Sequence, residues 1–374
     1  MRRLGAILIT AVTVLAACGG SAVQAPAAPA SSAAPASSAA PAPAAPAVAA
    51  NTGPCGAKGT GSLTVLGTPQ EEYIQAVTKA FTDECGIKTT YVRLSSGEAL
   101  AKLRADKANP QFSVWWGGPA DGYIAAEKDG VLENYIPKNS EKIPAQYKDA
   151  KGLWTGIYVG ALGLAVNTKI LKDKNLPEPT SWADLAKPIY KGQISIAHPA
   201  SSGTSYTFVA TQMFLVNRDI EKGFAYLKGF HQNVLQYQKT GAAPARQAGQ
   251  GEVAIGIVFS HDTVAAIEEG FKDLKVVFPS EGTGYEIGGM ALVAKAPDPI
   301  AAKTFMDWAS TAKTQEIGQS VKAYQIPTNS DAKVSEKSVK LASVKTVPYD
   351  FQWAGDQKKV IVDRFSNEVA PQPK

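Results

Sequence analysis

From residue 62 onward, hydrophobic and polar positions fall into short runs that switch between a period of two and a period near 3.6. Ser62–Gly67 (SLTVLG) alternates as a strand, Thr68 and Pro69 turn the chain, and Gln70–Thr82 places Tyr73, Val77 and Phe81 on one helical face. Lys88–Leu94 is β-branched and strand-like, and Ser95-Ser96-Gly97-Glu98 leads into a helical run over Ala99–Lys107. Ser113–Trp116 predicts a third strand, closing on Gly117-Gly118 ahead of a helix over Ala120–Asp129. Three strand–helix units with small polar residues at each strand's carboxyl end predict an open α/β sheet. Ligands of such sheets lie in the crevice at those ends.

The pattern then lengthens. Trp154–Val166 is an extended, glycine-spaced apolar run about twice the length of a usual strand, which predicts a crossing from one lobe to another. Leu171–Leu185 carries Pro177, Pro179 and a helix start at Thr180-Ser181-Trp182. Gln193–Ala197 reads as a central strand, breaking into His198-Pro199-Ala200-Ser201-Ser202-Gly203-Thr204 before the helical pattern Phe208–Val216. Asp219–Phe230 predicts another helix, Leu235–Lys239 a strand, and Pro244 sits at a first helical turn. Glu252–Phe259 predicts a buried strand that ends in Ser260-His261-Asp262, ahead of a helix over Thr263–Glu269. Leu274–Pro279 is strand-like, and Tyr285–Ala294 repeats the glycine-rich look of the first crossing. Two crossings predict two hinge strands joining two lobes, one of residues 57–158 with 285–374, the other of residues 159–284. Helices over Pro297–Ser310 and Lys313–Ser320 follow, then a return loop over Ala323–Asn329 and a partly helical tail offering Trp353, Ile361 and Phe365 for docking.

The amino terminus changes the picture. Arg2 and Arg3, the apolar run Leu4–Leu15 and small residues at its end have the layout of a secretory signal over residues 1–17, too short for a membrane-spanning helix. Cys18 after Leu15-Ala16-Ala17 matches the lipobox of bacterial lipoproteins, which implies a lipid on its sulfur. Residues 18–56 are mostly Ala, Pro and Ser and hold no side chains from which to build a core, so they predict a disordered tether. About 320 residues remain, enough for two lobes. Without Arg2 and Arg3 there are 36 basic against 33 acidic residues, too weak an excess, and with no basic run, for nucleic acid. In an oxidising compartment the remaining pair, Cys55 and Cys85, reads as one disulfide between the start of the folded part and the end of its first helix.

Candidate chemistry concentrates at the strand ends. Ser201, Ser202, Gly203 and Thr204 at a helix start face free backbone N–H groups and partial positive charge, a setting for a phosphate or carboxylate. Ordinary capping by the same hydroxyls accounts for them equally well. His261 and Asp262 end a buried strand on the same side, and both hydrogen-bond hydroxyl groups. His198 beside Pro199 reads as structural and His231 as surface. Glu286 faces either the cleft or solvent, and Trp115 and Trp116 supply either an apolar face for a sugar ring or core. No G-x-x-x-x-G-K-S/T loop is present, no G-x-S-x-G elbow, and no metal spacing among the three histidines, so nothing local favours a nucleotide enzyme, a hydrolase or a metal site.

From Ser62 to about Asn329 the chain resembles the bacterial solute-binding proteins of ABC importers, in the ferric-iron-binding-like cluster of the type II periplasmic fold. The resemblance rests, in order, on SLTVLGTPQEEY, RLSSGEALAKLRADKANPQFSVWWGG, LGLAVNTK, HPASSGTSYT, GEVAIGIVFSHD and GYEIGGMALV. It implies two α/β lobes on two hinge strands, closing on a ligand that is passed to permease subunits. It implies a protein outside the cytoplasm, held at the membrane by its lipid anchor, monomeric, without enzymatic activity or cofactor. Ferric binders of the cluster use adjacent tyrosines where this chain has Ser260-His261-Asp262. The His-Asp pair with a Glu on the following crossing resembles the hexose-phosphate-binding member instead. By position this assigns sugar hydroxyls to His261, Asp262 and Glu286. The phosphate falls to Ser95, Ser96, Ser201, Ser202, Gly203 and Thr204, with Arg93 or Arg246 nearby, and Thr68, Trp116 and Gly117 complete the expected site. Organophosphonate binders share the Ser-Ser-Gly loops and stay open as an alternative; a hydrolase or a sensor domain on the same fold is a more distant one.

Overall fold

A computed structural model describes residues 55–56 and 60–372. The signal segment, Cys18 and the tether up to residue 54 lie outside the described residues. No helix among the described residues is long and apolar enough to cross a membrane.

The first half opens as β1 (Ser62–Gly67), α1 (Glu71–Cys85), β2 (Lys88–Arg93), α2 (Ser96–Ala105), β3 (Val114–Pro119) and α3 (Ala120–Asp129). β2, β1 and β3 lie parallel in that order. β1 and β3 bury Val65, Leu66, Val114, Trp115 and Trp116, while the edge strand β2 alternates between half-buried and exposed positions. Cys85, the last residue of α1, is disulfide-bonded to Cys55 with a Cα–Cα distance of 5.2 Å. After β4 (Leu132–Glu133) comes β5 (Thr155–Asn167), thirteen residues buried throughout.

The second half follows as α4 (Thr168–Asp173), β6 (Ile194–Ala197), α5 (Gly203–Leu215), α6 (Ile220–His231), β7 (Val234–Gln238), α7 (Ala243–Gln250), β8 (Ile255–Phe259), α8 (Ser260–Glu269) and β9 (Leu274–Val277). β8, β6 and β7 are again parallel. β10 (Tyr285–Val293) returns, and α9 (Pro299–Ala309), α10 (Ala312–Gln315), α11 (Ile317–Ser320), β11 (Ile326–Pro327) and α12 (Phe351–Glu368) complete the chain.

β5 and β10 are the two long connections. Residues 155–161 of β5 pair antiparallel with β10, and residues 162–166 pair with β8, so one strand belongs to both half-sheets. β10 pairs with β3 on its other side, giving the continuous order β2-β1-β3-β10-β5-β8-β6-β7. The cores stay separate: Tyr73, Phe81, Phe305 and Trp308 fill one in the first half, while Trp182, Phe208, Phe224 and Phe230 fill another in the second. α12 touches both halves. Its Gly355 lies against Ile124 of α3, and its Ile361 and Phe365 are buried in the second core.

Candidate functional site

The carboxyl ends of the parallel strands in both half-sheets meet at one cavity of about 430 Å³. Because each strand there is followed directly by a helix, the cavity is ringed by helix starts. Thr68, Pro69 and Gln70 stand before α1, Ser95 and Ser96 open α2, and Gly118 and Pro119 open α3. From the second half come Ser202, Gly203 and Thr204 of α5, Gly241 and Ala242 before α7, and His261 and Asp262 of α8. Six helices thus bring their first turns and positive dipole ends to the edge of a common space. Arg93, at the end of β2, lines it too, with its Nε donating to the Pro69 carbonyl at 3.1 Å.

The opposite wall is different in kind. His261, Asp262 and Glu286 are all buried, and His261 Nε2 stands 3.8 Å from Asp262 Oδ1 and 3.7 Å from Glu286 Oε1. Burial pushes the imidazole down to about 3, so His261 is neutral, and its Nδ1 has no partner within the protein. Burial drives the Asp262 carboxyl up to about 7 against the pull of the Gln70 amide and of Arg93 and Arg246. Glu286 is raised well above the carboxylate range by burial and then by the charges of Asp262 and Asp121. A neutral imidazole donates and accepts as a hydroxyl does, and burial biases both carboxyls toward the protonated form, which does the same and weakens their repulsion of a nearby anion.

The close fit is built from glycines. A Cβ on Gly160 of β5 would lie 2.6 Å from His261 Nδ1, and a Cβ on Gly118, whose φ is +86°, would lie 2.6 Å from Ser96 Oγ. Gly97 N donates to the Ser201 carbonyl at 2.8 Å, drawing the α2 and α5 starts together.

Of the residues expected from sequence, Thr68, Ser95, Ser96, Ser202, Gly203, Thr204, His261, Asp262 and Glu286 line the cavity. Glu286 therefore faces the cavity rather than solvent. Trp116, Gly117, Ser201, Arg246 and Trp115 do not line it. Trp116 turns into the first core, edge-on to Tyr73 with ring centres 4.9 Å apart, because β3 is packed on both faces. Trp115 is also core, stacked on Tyr123 at 4.1 Å. Gly117 sits behind Thr68 and Pro69, where its φ of +87° turns the end of β3. Ser201 spends its hydroxyl on the His198 carbonyl at 3.2 Å and contributes only backbone. Arg246 lies outside this cavity, paired with Glu269 at 2.7 Å. His198 is wholly buried, with its Nε2 2.9 Å from the Ala370 carbonyl, and His231 is half-buried against Tyr237 rather than on the surface.

Sequence reasoning passed over Gln70, Gly118, Tyr158 and Gln325, which line the cavity as well. Tyr158 lies within the apolar run of β5, where its hydroxyl accepts from Gly118 N at 3.1 Å; a lone phenol in such a run carries no local signal. No group of His, Cys, Asp and Glu among the described residues is arranged to hold a metal ion.

Residues 124–352 match the family model of the bacterial extracellular solute-binding proteins. A protein of Haemophilus influenzae is 36% identical over 321 residues, 84% of this chain and 92% of that one. Among solved structures, the periplasmic binding protein AfuA from Actinobacillus pleuropneumoniae, with exogenous fructose 6-phosphate bound, is 37% identical with a TM-score of 0.79, covering 82% of this chain and 98% of its own. The periplasmic binding protein P5PA is 32% identical with a TM-score of 0.78, covering 82% and 99%. With half the chain matched by the family model and relatives above 30% identity along most of its length, the chain belongs to the bacterial extracellular solute-binding proteins and has the type II periplasmic binding protein fold.

Proposed function

We propose that the protein is the solute-binding component of an ABC importer and that it takes up a sugar phosphate, with the phosphate at the helix starts and the sugar hydroxyls at His261, Asp262 and Glu286. The observation that carries this reading is the division of the cavity. One end presents the first turns of α2, α3, α5 and α7, the hydroxyls of Ser95, Ser96, Ser202 and Thr204, and Arg93; the other, at the start of α8 and on β10, presents a buried cluster of donors and acceptors. A ligand satisfying both ends has an anion joined to several hydroxyls. The bound fructose 6-phosphate of the AfuA structure is a compound of that kind. Inorganic phosphate and free sugar each leave one end of the site unpaired, which costs affinity at buried polar groups.

Binding drives closure to the extent that the ligand prefers the closed form, the lobes being residues 57–158 with 285–374 and residues 159–284, with α12 bridging them. The importer role makes the protein a carrier rather than an enzyme. It acts outside the cytoplasm as a monomer on a lipid anchor at Cys18, handing its cargo to permease subunits. Metabolic labelling with a radioactive fatty acid, lost in Cys18→Ser, tests the anchor.

Isothermal titration with glucose 6-phosphate, glucose, inorganic phosphate, 2-aminoethylphosphonate and ferric citrate tests the ligand. Tight binding of glucose 6-phosphate alone supports the reading. Preference for the phosphonate or the ferric salt, or no response to any phosphorylated compound, overturns it.

A further inference from the structure

A second pocket, open to solvent and enclosing about 650 Å³, adjoins the first and shares Gln70, Ala242 and Asp262 with it. The partition between the two is a directed hydrogen-bonded chain. Gln325 Nε2 donates to Gln70 Oε1 at 3.3 Å, and Gln70 Nε2 in turn donates to Asp262 Oδ1. Each of the three side chains reaches the wall from a different part of the fold: the turn before α1, the first turn of α8 and the return loop before β11. Cationic groups stand on both sides, Arg93 within the inner cavity and Arg246 within the outer one. Behind the wall the outer space is lined by Ala265, Ala266 and Ala323, with the polar side chains of Glu72 and Lys322 at its margin.

We propose that Gln70 is the residue that sets ligand length. Its side chain seals the inner cavity at the hydroxyl end, confining the ligand to a single phosphorylated sugar, and it separates that cavity from a ready-made space for a second ring. This inference rests on the sugar-phosphate reading above. The phosphate at the helix starts directs the far side of the sugar toward His261, Asp262 and Gln70, so a second ring attached opposite the phosphate runs into the Gln70 wall. Shortening residue 70 joins the two cavities, and although Gln70 is the N-cap of α1 its side chain makes no capping bond there, so the helix starts of α2 and α5 that hold the phosphate are left as they are. The discrimination is then one of size at a polar wall, a type that single side chains impose readily.

The test is calorimetric titration of wild-type protein, Gln70→Ala and the double variant Gln70→Ala/Ala265→Trp, each with glucose 6-phosphate and with trehalose 6-phosphate, after thermal unfolding has shown that all three are folded. Wild-type protein is expected to favour the monosaccharide phosphate by at least about a hundredfold, and Gln70→Ala to narrow that ratio by at least about tenfold. Ala265→Trp refills the outer space, so it should abolish the gained disaccharide binding while leaving glucose 6-phosphate affinity within about threefold of Gln70→Ala. A mere loosening of the site would not be reversed by that second change. The inference is overturned if wild-type protein binds both compounds alike, if Gln70→Ala leaves the ratio unchanged, or if the gain survives Ala265→Trp. Wild-type protein that binds neither compound overturns the sugar-phosphate reading itself.

Discussion

The position of His261 depends on a residue that makes no bond to it. Gly160 leaves the space that the imidazole fills, and a methyl group there would lie 2.6 Å from Nδ1 and 3.5 Å from Glu286 Oε1. Backbone cannot give way easily, since residue 160 is paired with Glu286 in the β5–β10 ladder. Gly160→Ala should therefore push the imidazole out of place and weaken glucose 6-phosphate at least about tenfold in calorimetry, while thermal unfolding remains a single transition. Undiminished affinity would show that the imidazole does not meet the ligand. Asp262 carries a pH signature of its own. Its folded form holds a proton up to about pH 7 that the unfolded chain releases near pH 4. A raised carboxyl pKa favours the folded state at low pH, and that advantage is lost as pH rises from about 4 to about 7. Denaturant titrations of the ligand-free protein should show wild type losing stability relative to Asp262→Asn across pH 5 to 7, then levelling. A difference that rises with pH would contradict the buried, protonated carboxyl.

At the scale of elements, the helix starts decide both structure and site. The sequence pattern places the starts of α2, α5 and α8 at Ala99, near Thr207 and at Thr263, whereas the helices begin at Ser96, Gly203 and Ser260. The shift has one cause. Hydrophobic periodicity begins with the first apolar residue, but a helix begins with its cap, and the first turn here is polar because it faces the cavity. The strand–helix order, the two crossings and most of the hydroxyl-bearing strand ends were legible for that reason, since each is a local pattern. Gln70, Tyr158 and Gln325 were not, because their place in the cavity follows only from the way strands far apart in sequence come together. The capping and anion-binding readings of Ser202 coexist, for its Oγ accepts from Ser205 N at 3.5 Å while the residue lines the cavity. Ser96, the first residue of α2, separates the two roles. An acidic side chain at a first turn suits the helix dipole by up to about 1 kcal/mol, yet it repels a phosphate placed among the helix starts. Ser96→Asp should keep or slightly raise the unfolding midpoint and reduce glucose 6-phosphate affinity by at least about a hundredfold. Affinity that follows stability instead would mean that these N-termini do not hold the anion.

At the scale of the whole molecule, the two halves share more than the β5 and β10 strands. Lys358 of α12 reaches Asp121 of α3 at 2.8 Å, and both side chains are buried. The Lys358 ammonium also lies 3.6 Å from the centre of the Tyr206 ring of α5, and the Tyr206 hydroxyl donates to the α12 carbonyl of Ala354. Tyr349 approaches the other Asp121 oxygen at 3.4 Å. One ammonium thereby ties α12 to a helix from each half, close behind the strand that carries Glu286. Burial lowers the Lys358 pKa and Asp121 opposes that shift. A buried pair of this kind is weak evidence for net stability, because desolvation offsets much of the attraction. Losing one member is another matter, since the survivor keeps its desolvation cost with nothing to offset it. Lys358→Met should cost about 3–5 kcal/mol in denaturant unfolding, and adding Asp121→Leu should restore much of that loss. Binding gives the further discrimination. If α12 holds the halves in the relation that the cavity requires, Lys358→Met should weaken glucose 6-phosphate as well, and the double variant should recover stability more fully than affinity. Recovery of both in step would assign the pair to packing alone, and a single variant as stable as wild type would remove the pair from any structural role.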